Sequence, residues 1–155
     1  MVFGAVVHAI LERVGALDDD WRPWVDTAVA AAGIDGRAKQ RIVRAVSGYL
    51  ASDVARELFS APRVMREAPI AVPIAGTVRA GAIDAIGWTQ DRALIVDYKS
   101  GTGPLTPEQA EQRYRLQSEC YSLAALAAGA SEVKVVFFEL ERPGNFGSLH
   151  EFGKA

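Results

Sequence analysis

Gly81-Ala82-Ile83-Asp84-Ala85-Ile86-Gly87-Trp88 and, after a short polar turn, Ala93-Leu94-Ile95-Val96-Asp97-Tyr98-Lys99 are the stretch on which the fold turns. Two runs rich in apolar and β-branched residues, split by Thr89-Gln90-Asp91-Arg92, predict an antiparallel hairpin with strands near 77–87 and 92–98. A turn centred on Gln90-Asp91 sets Asp84 directly opposite Asp97, whereas an odd-length turn would break that pairing. Directly opposed residues have β-carbons about 5 Å apart, and like charges there are destabilising without compensation. A divalent cation is the natural compensation. Oxygen donors suit Mg²⁺ or Mn²⁺, and Mg²⁺ commonly takes one or two carboxylates and leaves other positions to water and phosphate. Strand alternation puts Lys99 on the face of Asp97 and turns Tyr98 away. Taken singly, each aspartate is an ordinary turn or strand-end residue and Lys99 an ordinary edge charge. Together, in apolar surroundings, the three point to a metal-assisted active centre.

Working outward, Val6, Val7, Ile10, Leu11 and Val14 recur at helical spacing and predict a helix over about 3–14 that carries His8. A second helix is expected after Asp18-Asp19-Asp20, with Pro23 in its first turn and Gly33 at its end. A third is expected from about Arg37 to Phe59, its Arg37, Lys39, Arg41 and Arg44 forming a solvated basic face. Beyond Arg63 the β-branched residues and Pro62, Pro69 and Pro73 favour strands, the first near 63–67. Ser100-Gly101-Thr102-Gly103-Pro104 reads as turns. Thr106 as N-cap, Pro107, Gln109 in a capping box and Gly129 as the stop predict a helix over about 107–128. Glu132 to Leu140 reads as a buried strand, and a short strand is expected near Leu149 to Phe152. The fold class is α+β with a mixed central sheet in one domain.

The chain has 155 residues, half of them apolar and 23% charged, which is the composition of an ordinary globular protein. No apolar run is long enough to span a bilayer, and the first twenty residues lack a secretory signal, so no membrane role and a cytoplasmic location are expected. The lone Cys120 excludes an internal disulfide and any multi-cysteine cluster, and it reads as a buried apolar residue. A net charge of −2 provides little phosphate attraction, so the domain is not expected to grip DNA tightly by itself.

Ile83-Asp84 with Asp97-Tyr98-Lys99 resembles the PD-(D/E)XK pattern, and the surroundings resemble its RecB-like branch, the nuclease domain of bacterial helicase–nuclease machines. Three further segments fit that branch: Gly4-Ala-Val-Val-His8-Ala-Ile-Leu11-Glu12, Glu67-Ala-Pro69 and Gln117-Ser-Glu-Cys-Tyr121. The resemblance runs from Gly4 to about Leu140. It implies a restriction-endonuclease-like core in which His8, Asp84, Asp97 and the Tyr98 carbonyl bind Mg²⁺ or Mn²⁺ and Lys99 is catalytic. It further implies that Gln117 and Tyr121 contact DNA or support the site, with Glu67 and Glu12 nearby. A lone helical histidine is ordinarily structural, so the resemblance alone makes His8 a ligand. Glu12, four residues on, is expected to orient its imidazole.

The cysteine cluster of some relatives is absent, so no iron–sulfur centre is expected. No G-x-x-x-x-G-K-[ST] motor motif occurs. The resemblance therefore implies a nuclease domain of a longer helicase–nuclease polypeptide, acting on DNA ends unwound by a helicase in cis or by a partner subunit during break repair and recombination. Exonucleolytic cleavage is the expected outcome. A non-catalytic nuclease-like DNA-binding or scaffolding module is the alternative, and it would typically have lost one or more of these residues.

Overall fold

The computed structural model describes residues 2–101 and 103–141, together with the strand 151–152. Four helices come first, α1 (Val2–Arg13), α2 (Arg22–Ala32), α3 (Gly36–Leu50) and α4 (Asp53–Ser60). Strands β1 (Arg63–Ile74), β2 (Thr77–Thr89) and β3 (Arg92–Lys99) follow, then α5 (Pro107–Ala127), β4 (Glu132–Glu139) and β5 (Glu151–Phe152). The sheet order is β1-β2-β3-β4-β5, antiparallel except where β3 and β4 run parallel. A parallel pair needs a crossover, and α5 is that crossover. The architecture is the expected α+β fold with a mixed sheet. The expected final strand is present at 151–152, while Thr102, Leu149 and His150 lie outside the described residues.

One face of the sheet packs on α1 to α4 through Ala85, Leu94, Val96, Tyr98, Val136 and Phe138. The other packs on α5 through Ile83, Ile86, Ile95, Val135 and Phe137. Cys120 is buried and free, as its helical setting implied. The capping box at Thr106 and Gln109 forms as expected, with the Thr106 side chain accepting from the Gln109 amide and Gln109 returning the bond.

Two expectations need correction. The helix expected over 37–59 is broken at Ala51-Ser52 into α3 and α4. Buried Ser52 donates to the Tyr49 carbonyl at 2.6 Å and accepts from the Ala55 amide, ending one helix and capping the next. Strand β1 runs on to Ile74, well past residue 67. Its Pro69 and Pro73 are tolerated because β1 is the sheet's edge, where a missing N–H need not leave an internal ladder bond unmade.

Gly87 sets how closely α4 approaches the sheet. A β-carbon there would lie 3.0 Å from the Ala61 Cβ and 3.3 Å from the Leu58 carbonyl oxygen. Gly87→Val should therefore force α4 off β2 and cost about 1–3 kcal/mol of unfolding free energy, measured by urea denaturation. An unchanged denaturation midpoint would show that α4 can move freely.

Candidate active site

The β2–β3 register is the one expected, with Thr89 opposite Arg92 and Ala85 opposite Val96. The ladder then stops one pair short of Asp84 and Asp97. Asp84 is the one residue of β2 with a backbone partner in neither neighbouring strand. On the β1 side the pairing likewise passes from Arg66–Ala85 to Ala68–Ile83, skipping Glu67, whose φ is +47°. Faces reverse at this point. Ile83 and Ile86, three apart, both pack on the α5 side while Ala85 packs on the other, which strict alternation forbids. The irregularity turns Asp84 toward α1 instead of squarely onto Asp97. Its Oδ2 accepts from the Tyr98 amide at 2.7 Å, in place of a ladder carbonyl.

His8 meets this carboxylate from α1. Its Nδ1 is 3.5 Å from Asp84 Oδ1, and its Nε2 donates to the Tyr98 carbonyl oxygen at 3.0 Å. The hydrogen bond with Asp84 raises the His8 pKa, outweighing the burial that would lower it. Both ring nitrogens are thereby engaged. Glu12 is thus not the partner that orients the imidazole; Asp84 is, because the hairpin brings it within reach across 76 residues of sequence. A β-carbon at Gly4 would press on Ser100 Oγ, so a side chain there would require that hydroxyl to turn away. Tyr98 itself is buried on the α1 to α4 side, edge-on to His8 and to Tyr49, and burial pushes its phenol pKa well up.

Asp97 lies on the opposite face of β3 and is almost fully buried. Burial raises its carboxyl pKa, the Lys99 ammonium opposes that shift, and the nearby Asp84 carboxylate adds to it. Lys99 Nζ is 2.6 Å from Asp97 Oδ1 and donates to Gln117 Oε1 at 2.8 Å. The amide of Gln117 can point only one way, since a lysine only donates and a carboxylate only accepts. Its Nε2 then donates to Asp97 Oδ2 at 3.1 Å and to the Tyr121 hydroxyl at 2.6 Å. Tyr121 in turn donates to Asp97 Oδ2 at 2.6 Å. The i, i+4 pair on α5 thus holds both the carboxylate and the ammonium in place. Burial, with the Asp97 charge next, pushes the Tyr121 phenol far above its usual range, so it stays protonated and a donor.

The sequence from residue 1 to residue 153 matches the family described as the PD-(D/E)XK nuclease superfamily. The chain belongs to that family. Over 114 residues it is also 30% identical to an ATP-dependent helicase/nuclease protein of Pelotomaculum thermopropionicum, a match that covers 64% of this chain. The chain spans only 9% of that relative's length. A solved structure titled SSO0001 aligns with 98% of this chain and 74% of its own, at 12% identity and a TM-score of 0.34.

As a PD-(D/E)XK nuclease, the chain offers the donors a divalent cation needs: two carboxylates, an imidazole nitrogen and a backbone carbonyl. The oxygens fit a hard cation in kind, and the imidazole nitrogen suits a more borderline one. Among the described residues, Asp97 Oδ1 is a buried oxygen that makes no hydrogen bond of good geometry, and the Lys99 charge stands beside it. Among the described residues, no three His, Cys, Asp or Glu side chains already converge on one point at ligand distance. Glu67 is exposed, and its carboxyl pKa is raised first by partial burial and then by the charges of Asp84, Glu12 and Asp97. Glu67 is therefore within electrostatic reach of Asp84, Asp97 and Glu12.

Tyr114 and Phe137 underlie the Lys99 ammonium, and neither stands out as a site residue in the sequence. Helical spacing in the sequence already sets Tyr114, three residues before Gln117, on the face of Gln117 and Tyr121, though without a role in the site. Phe137 has no signal beyond its place in an apolar strand. No helix among the described residues is long and apolar enough to cross a membrane.

Proposed function

We propose that this nuclease domain hydrolyses phosphodiester bonds in DNA with the help of Mg²⁺ or Mn²⁺. The observation that carries the reading is the pairing of Asp97 with Lys99 at 2.6 Å, clamped by Gln117 and Tyr121, beside a second carboxylate held by His8. Asp84, Asp97, His8 and the Tyr98 carbonyl are the residues that would hold the cation. When bound, such a cation supplies Lewis-acid activation of water and of the phosphoryl group.

Lys99 provides what a carboxylate cannot, a positive charge aimed at the developing charge on the phosphate. Gln117 restrains that ammonium, and Tyr121 keeps the Asp97 carboxylate oriented. Likeness to part of a helicase/nuclease protein supports a role on helicase-unwound DNA ends in break repair, in cis or beside a partner subunit, in the cytoplasm, with exonucleolytic trimming as the outcome. The chain would then be one nuclease domain of a longer polypeptide, free of any iron–sulfur cluster.

Linear single-stranded DNA labelled at one end is the substrate that tests this. Cleavage should require Mg²⁺ or Mn²⁺, stop in excess EDTA and return when the cation is restored, because activation of the water and of the phosphoryl group is assigned to the cation. Undiminished cleavage in EDTA would refute the metal-dependent mechanism.

A further inference from the structure

Two aromatic rings lie against the Lys99 ammonium. Its Nζ is 5.0 Å from the ring centroid of Tyr114 and 5.3 Å from that of Phe137. The rings stack on each other with centroids 4.6 Å apart and planes inclined by 19°. Both are buried. Tyr114 precedes Gln117 by three residues on α5, so one helix face carries both the oxygen that accepts from Lys99 and a ring that faces its charge.

We propose that Tyr114 is a positioning residue for the reaction, its ring held in a stack with Phe137 and serving as the seat of the Lys99 ammonium. This inference rests on the role given to Lys99 above. A lysine has a flexible four-carbon stem and a freely rotating head, so its placement depends on what surrounds it. Two of its contacts are oxygens, Asp97 Oδ1 and Gln117 Oε1. Once Asp97 is committed to a cation, the stronger of these is weakened. The ring faces are unaffected by that change. Their attraction for a cation grows as water is removed, and only a fifth of the Lys99 side chain is exposed. The aromatic seat, with Gln117 Oε1, therefore persists while the chemistry proceeds.

The test keeps shape constant and changes the charge on the ring face. Tyr114→Phe, followed by phenylalanines with one, two and three ring fluorines at position 114, progressively empties that face of electron density. Tyr114→Phe is the reference of the series, and from its value kcat on single-stranded DNA should fall stepwise to about five- to tenfold lower as fluorines are added, while KM stays constant. A residue that merely fills space would not respond to fluorine. The second readout needs neither cation nor DNA. In the metal-free protein the Lys99 ε-methylene NMR signal, identified by its loss in Lys99→Arg, should be shifted upfield by the ring. In Tyr114→Leu it should move downfield, toward the position typical of an exposed lysine, while the Lys39 signal stays put. A kcat indifferent to fluorination, or a Lys99 signal unmoved in Tyr114→Leu, would overturn the proposal. A parent protein that cleaves no DNA would defeat the nuclease reading, while the NMR shift would still decide whether the seat exists.

Discussion

Lys99→Ala should abolish DNA cleavage, by about a thousandfold or more, while leaving Mn²⁺ binding largely intact. An ammonium has no lone pair to offer a metal, so its contribution lies in the transition state. Its removal also ends the 2.6 Å ion pair with Asp97. The effect of that loss on the carboxyl group has a definite sign. Lys99 holds the Asp97 pKa down against burial, so without it the pKa rises and the protonated form, which cannot take a cation, persists to higher pH. Metal affinity in Lys99→Ala should therefore match the parent at about pH 8 and weaken toward acid sooner than the parent's does. Calorimetric Mn²⁺ titration at two pH values, run beside a cleavage assay, separates these effects. Parental cleavage by Lys99→Ala would remove Lys99 from the active centre.

Asp97→Ala should behave differently, losing cation affinity and cleavage together. Groups that only orient a metal ligand cost roughly 10–100-fold in affinity when removed, so loss of the carboxylate itself should cost at least about tenfold. The substitution also strips an acceptor from Lys99, Gln117 and Tyr121 at once. A melting curve is needed to show that the variant is folded. If folded Asp97→Ala bound Mn²⁺ as tightly as the parent, the cation would have to lie elsewhere, with Asp84 and His8 as its only anchors from the proposed side-chain set.

Much of this arrangement is written locally. The turn at Gln90-Asp91 and the apolar alternation around it set the β2–β3 register, because a slip of one residue would turn buried side chains out to water. That register is what brings Asp84 near Asp97 and puts Lys99, not Tyr98, beside the carboxylate. The capping box at Thr106 likewise starts α5 where Gln117 and Tyr121 face the site.

What escaped a linear reading involves groups far apart in the chain. Whether Pro69 and Pro73 end a strand depends on its being at the sheet's edge, which no local pattern states. The break at Ser52 follows from a hydroxyl that found the Tyr49 carbonyl, a choice between competing hydrogen bonds that helical periodicity cannot see. His8 takes its partners from Asp84 and from Tyr98, 90 residues away, although Glu12 stands one turn along the same helix. The sequence by itself determined the β2–β3 hairpin and its register, the capped start of α5 and the identity of the proposed reactive groups, since those depend on neighbours along the chain and on side-chain chemistry. Only the tertiary structure decided which way Asp84 turns, which group orients His8 and which rings underlie Lys99. Those depend on how two separately packed faces of one sheet close around its edge.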